Sequence, residues 1–370
     1  MKKTLTLSLL TLATLFSVFV IAGVMNKPFG KKMLYRSERC TGDLYQIVLV
    51  DYFREEHECA KRPNHPNITG PENADIFLLG DSFFNNEQNG EQFRNLLADR
   101  TPKKIWNVYN SFYPLEVLLK AKDSILKNPK RRILILETVE RYLFHITEKT
   151  LLDDLSRRDS PVTQNEAKQE AVVTAQKNSN SQARLTTKKV KISRLEFSRY
   201  DYFFLNNIIV HRIYTAINSL RFYIFRTFSG ATVSDHYSFD PPMLFLKDDI
   251  DYAETKRTES EIAAAAEKVE TLKKIIKEKY NMDLLFIVLP NKYSMYGSRV
   301  DKNFVYDQTI PKTVKELRRR GVRTLDTYSL MKAGEKSNPS ESLYLQDDTH
   351  WTMFGRSFVL DEIQKTLTHF

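Results

Sequence analysis

Cysteine and tryptophan are scarce in this chain, two of each in 370 residues, and its eleven glycines form no run that could wrap a phosphate. Without a Gly-rich phosphate loop or a His/Cys/carboxylate cluster at ligand spacing, no nucleotide, metal or other cofactor is expected. Cys40 and Cys59 have no His or Cys partner at ligand spacing, which argues against a zinc site. No period recurs along the chain, so a repeat architecture is excluded. The net charge of +10 falls largely in stretches such as Thr187 to Arg194 and Arg318 to Arg320, with no recognition motif beside it. A nucleic-acid partner is therefore not expected.

Long apolar runs are equally rare. One exists, from Thr4 to Met25, uncharged and rich in Leu, Val, Ile and Phe, directly after Lys2 and Lys3. A run of about 20 apolar residues can cross a bilayer. Only Ile21-Ala22-Gly23 resembles the small-residue exit of a cleavable signal, so residues 1–26 are expected to form an uncleaved signal anchor, one transmembrane helix. With no second run of that kind, the folded part is expected to be extracytoplasmic. Residues 27–73 then form a juxtamembrane segment, in which Cys40 and Cys59 either pair as a disulfide or remain two separate thiols.

An apolar content of 42% is enough for a sizeable core. Gly42 to Glu56 reads as a helix. Ala74 to Gly80 is a short apolar run ending on Gly, the pattern of a buried strand entering a tight turn, and Glu91 to Asp99 has helical spacing. Lys104 to Tyr109 reads as a second strand, Leu115 to Lys127 as a helix, and Arg131 to Glu137 as a third strand. Thr258 to Lys279 is helical, Leu284 to Leu289 a strand stopped by Pro290, Thr309 to Arg320 a helix, Arg323 to Leu325 a strand, and Trp351 to Thr368 a final helix. This alternation predicts an α/β fold, a doubly wound parallel sheet flanked by helices over residues 74–370. Residues 151–256 interrupt it as an insertion. Ser156 to Leu185 within it is polar and lacks an apolar face. Tyr200 to Phe228 reads as an aromatic and basic amphipathic helix that either packs on the core or rests on a membrane or a membrane partner.

Two constellations carry chemistry. Leu79-Gly80-Asp81-Ser82-Phe83 places a serine just past the first strand, at the carboxyl edge of the sheet, where open α/β folds hold their crevice. A hydroxyl there needs a base. Asp347-Asp348-Thr349-His350-Trp351-Thr352, before the last helix, offers one, since an upstream Asp can hold the second ring nitrogen of His350. Asp348 and Asp347 both qualify as that carboxylate.

Together these residues resemble the SGNH/GDSL hydrolases, with Gly80-Asp81-Ser82 similar to their first block and the late Asp/His pair to their last. Asp348-Thr349-His350-Trp351 further resembles the Asp-Thr-His-Trp signature of the AlgX/AlgJ-like (DHHW-type) O-acetyltransferase group, and Pro290 to Tyr296 resembles that group's Pro-x-Lys-x-x-x-Tyr segment. The serine precedes the Asp/His element, as in ordinary SGNH hydrolases and in the DltD-type envelope proteins. The resemblance covers Asp75 to Arg141 and Leu284 to the end.

What the resemblance implies is a serine acyl transfer, with Ser82 as nucleophile, His350 as general base and then acid, and Asp348 as orienting carboxylate. The Ser82 N–H would contribute to an oxyanion hole. Asn107 and Asn110 are further oxyanion candidates. Arg141, beside Glu137 and Glu140, is a candidate for substrate contact or for an ion pair with a neighbouring Glu, and Lys292 and Tyr296 for substrate contact or a structural role. The implied partners are a membrane-bound O-acyltransferase and a glycan or envelope-polymer acceptor. The alternatives are a carbohydrate esterase or deacetylase using the same serine, and a noncatalytic scaffold.

Overall fold

The structure is a computed structural model, and it describes residues 11, 14–15, 42–48, 50, 52, 65–85, 92–107, 114–144, 152, 208–225, 233–234 and 243–370. The chain divides into two compact units. The first is Met1–Tyr35 with Ser156–Val210; the second is Arg36–Leu155 with His211–Phe370. In the first, description extends to Thr11, Thr14, Leu15 and the opening turn of a helix at 208–210. The anchor expected over 1–26, the cysteines Cys40 and Cys59, and most of the insertion lie outside the described residues. Among the described residues no helix is long and apolar enough to cross a membrane.

The second unit is built on a five-stranded sheet. Its strands are β1 (Ile76–Leu79), β2 (Ile105–Asn107), β3 (Arg132–Val139), β6 (Met282–Leu289) and β7 (Arg323–Leu325), in the order β2-β1-β3-β6-β7 and all parallel. Two short antiparallel strands, β4 (Val233–Ser234) and β5 (Phe245–Leu246), form a separate ribbon. β3 and β6 pair over eight residues, Arg132 with Met282 through Val139 with Leu289. Their runs of Ile, Leu and Val are buried on both faces because helices cover both.

Side chains alternate across a strand, so each run feeds two cores. Ile76, Leu78, Ile133, Ile135, Leu285 and Ile287 point to one face. There they meet α3 (Phe93–Asp99) and α12 (Met353–Leu367). Phe77, Leu79, Leu134, Leu136, Phe286 and Val288 point to the other. That face is covered by α4 (Pro114–Lys120), α5 (Lys122–Leu126), α8 (Glu259–Tyr280) and α10 (Thr309–Arg319). The single helix expected over Leu115 to Lys127 is two, broken at Ala121. Three helices had no clear signal in the sequence: α7 (Lys247–Glu254), α9 (Lys292–Val300) and α11 (Thr327–Ser337). Met243, Phe245, Ile250 and Ala253, which lie inside the expected insertion, pack into the first core.

The ends of the elements follow local chemistry. Thr258 and Glu261 close a reciprocal capping box on α8, and Asn281 ends that helix with φ 51°. The chain leaves β1 towards β2 on one side and β3 towards β6 on the other. The topological switch therefore lies between β1 and β3, and a crevice is expected beyond their carboxyl ends.

Candidate active site

The turn after β1 is held by two buried carboxyl groups. Glu137 Oε2, at the end of β3, accepts the Asp81 backbone N–H at 3.0 Å. Asp81 accepts the Phe83 N–H through Oδ1 at 2.9 Å and the Val139 N–H through Oδ2 at 3.1 Å. A side chain at position 80 would come within 2.3 Å of Glu137 Oε2, which is why the turn opens on Gly80. Complete burial, with Asp81 beside it, pushes the Glu137 carboxyl well above its ordinary 4.5. Ser82 is half-buried and begins α2 (Ser82–Asn85).

The second half of the site is a loop pinched off by an antiparallel bridge between Tyr344 and Trp351, with Leu345 N–H donating to His350 O at 3.0 Å. Within it, His350 Nδ1 is hydrogen-bonded to Asp348 Oδ1, and the same oxygen accepts the His350 backbone N–H at 2.9 Å. A proton on Nδ1 leaves the lone pair on Nε2, which is buried and has no hydrogen-bond partner. Burial lowers the His350 pKa, but Asp348, with Asp43 and Asp81 beyond it, more than offsets this, and the net shift is upward from 6.5. Asp348 moves the other way: burial raises it, and His350 brings it down to about 2.

Aromatic packing joins the two halves. The Phe83 ring lies 4.9 Å from the His350 ring and 5.4 Å from that of Trp351, and Trp351 stacks on Phe93 at 5.7 Å. Ser82 is thus flanked by two residues that reach His350, Asp81 through its charge and Phe83 through its ring. Asp347 is fully buried, and a side chain at position 42 would meet its Oδ1 at 2.3 Å. The carboxylate on His350 is that of Asp348.

Sequence reading missed Asp43, at the start of α1 (Asp43–Val48). Its carboxylate accepts the Thr349 N–H at 2.8 Å and the Thr349 hydroxyl at 2.6 Å, and lies 3.8 Å from His350 Nδ1. Its own N–H donates to Asp348 Oδ2 at 3.1 Å, and Tyr45 N–H donates to Asp347 O at 3.0 Å. No local pattern could have shown this, because the partners are 305 residues apart. The potential ligand atoms of Asp43, Asp348 and His350 lie within 4.8 Å of one another, a spacing that three ligands of one cation can have. Here the hydrogen bonds among these residues and Thr349 account for the cluster.

The remaining candidates turn out to be tied down. Lys292 is buried and donates to the carbonyls of Leu345 at 2.5 Å, Gln346 at 3.1 Å and Asp348 at 3.1 Å. Tyr296 accepts the Leu343 N–H at 2.8 Å. Both fasten the loop that carries Asp348 and His350. Asn107 donates to Leu78 O at 2.7 Å, clamping the ends of β2 and β1; Asn110 lies outside the described residues. Arg141 pairs with Asp249 at 2.7 Å and not with a neighbouring Glu. It also lines a cavity of about 300 Å³ with Phe144, Tyr252, Arg257, Glu261 and Lys268. Glu140 accepts the Ser294 hydroxyl at 2.6 Å and the Tyr306 hydroxyl at 2.7 Å, and burial raises it to about 7.

No curated protein and no solved structure matches this chain. Residues 243–369, which carry Lys292, Asp348 and His350, match the family model described as the SGNH hydrolase-like domain of the acetyltransferase AlgX, so this part of the chain is SGNH/AlgX-like.

Proposed function

We propose that the chain is an extracytoplasmic serine acyltransferase that moves an acyl group, acetyl in the first instance, to a cell-envelope or exported polysaccharide. The observation that carries this reading is the polarity of His350. Its Nδ1 is committed to Asp348, while its Nε2 is buried, unpaired and on a ring packed against the residue that follows Ser82. In this mechanism Nε2 takes the proton from Ser82 Oγ as that oxygen attacks the acyl carbonyl. The imidazolium, steadied by Asp348, returns the proton to the departing alcohol or thiol, leaving an ester on Ser82. An acceptor hydroxyl, deprotonated by the same nitrogen, then attacks the ester and regenerates Ser82. A membrane-bound O-acyltransferase would supply the acyl group, and the apolar run at residues 4–25 would keep the protein beside it.

The test is mass spectrometry of the purified full chain after incubation with p-nitrophenyl acetate, next to Ser82→Ala. The expected result is an acetyl adduct on Ser82 that is missing in the variant and decays faster when an oligosaccharide acceptor is added. Decay at the same rate with and without acceptor would point to water as second nucleophile and hence to an esterase. Absence of both adduct and nitrophenol release would overturn serine chemistry.

A further inference from the structure

Over its described side chains, the helix α6 (Ile208–Phe225) has its polarity reversed. Thr215 and Asn218 are buried, at 5% and 8% exposure, together with Phe222. Ile213, Ile217, Leu220 and Ile224 are exposed, at 49%, 57%, 61% and 57%. At 3.6 residues per turn these four fall on one stripe, directly opposite Phe222. An ordinary surface helix does the opposite, turning its apolar stripe inward. Phe222 anchors the helix against Leu44, Val50 and Leu244, so the apolar stripe is left facing away from the fold.

We propose that this stripe rests on the surface of an anionic lipid bilayer. Three features select that occupant. First, charge: between Asp201 and Asp235 the sequence holds no acidic residue, while Arg212, Arg221 and Arg226 lie there. That is the complement of anionic headgroups. Second, the flanks: exposed Arg221 borders one edge of the stripe and Tyr223, 76% exposed, borders the other. A cation that can snorkel and an amphipathic ring are what the headgroup level accommodates. Third, the helix is not apolar enough to cross a membrane, so it lies along the interface. The proposal does not depend on the acyl-transfer reading.

The test uses the full chain in phosphatidylcholine vesicles containing phosphatidylglycerol and a lipid with a diazirine on its acyl chain, with cross-linked residues mapped by mass spectrometry. Adducts are expected on Ile213, Ile217, Leu220 and Ile224, and adducts on residues 4–25 serve as the internal control. Replacing Ile217 and Leu220 by Ser should remove the helix adducts and leave the control. Arg221→Gln should lower them about fivefold, the worth of one cation at an anionic surface. Adducts confined to residues 4–25 would overturn the proposal. So would cross-links from the stripe to a second copy or to another protein, because the face would then be a protein interface. Should the double variant fail to fold, the map of the unmodified chain decides alone.

Discussion

To act as a base His350 must be neutral, yet the three carboxylates around it favour its charged form. Burial works against them and loses. In the proposed mechanism acylation of Ser82 should therefore rise with pH through a midpoint above 6.5. Asp348→Asn should lower that midpoint and slow acylation by about 10³- to 10⁴-fold, the loss seen when a triad histidine loses its orienting carboxylate. The rate of acetyl-Ser82 formation across neutral pH reports both, and a profile that ignores pH would remove His350 from the role. Glu140 makes a separate prediction about stability. Its folded value near 7 stands above the ordinary 4.5, so the folded state holds that proton more tightly than the unfolded chain. Its contribution is present below about 4.5 and is lost as pH rises through about 7. Urea midpoints at acid and mildly alkaline pH should differ less in Glu140→Gln than in the parent, and equal differences would refute the assignment.

At the scale of elements, α9 fastens the histidine loop through Lys292 and Tyr296. The ammonium of Lys292 spends its donors on three carbonyls of the loop before His350, and charged hydrogen bonds of this kind contribute about 1.5–3 kcal/mol each when a partner is left unsatisfied. Lys292→Met should therefore speed amide exchange over residues 343–351 and slow acylation while the sheet stays protected. Hydrogen exchange read by mass spectrometry distinguishes this from global unfolding. On the opposite face of the sheet, Thr258→Ala removes the capping box of α8 and should cost about 1 kcal/mol in urea denaturation without touching the acylation rate. The contrast between these helices also shows what was readable in the sequence. α8 carries its own signals, with Thr258 and Glu261 at its start and an apolar stripe along its length. α9 begins at a lysine after Pro290, where the same residues suit a substrate contact or a structural tie. Only the carbonyls it meets 53 to 56 positions later decide between them.

Across the whole molecule, legibility falls with the distance over which residues meet. The strands were plain because Ile76–Leu79 and Leu284 to Leu289 are apolar runs cut off by Gly80 and Pro290. Ser82 and His350 stood out as candidates from their places in the sequence, just after the first strand and just before the last helix. The partner of Arg141 was not visible, since Asp249 lies 108 residues on in a segment without strand or helix signature. Asp43 was less visible still. Its role gives the molecule-scale prediction: a chain beginning at residue 41 keeps the contacts from Gly42 to Tyr45, whereas one beginning at residue 49 loses them. The shorter chain should keep its central sheet protected against exchange yet acylate Ser82 at least about tenfold more slowly, the scale of a lost positioning contact near a reacting group. Equal rates would show that Asp43 is dispensable.

The same clasp has a bearing on timing. Asp43 is synthesised 305 residues before Asp348. Until Asp347 to Thr349 have been added, the histidine loop does not exist for Asp43 to hold. In the proposed mechanism Ser82, made earlier, is without its base until then. On the proposed mechanism, the base for Ser82 is thus in place only after residues 305 positions apart have both been made and have met.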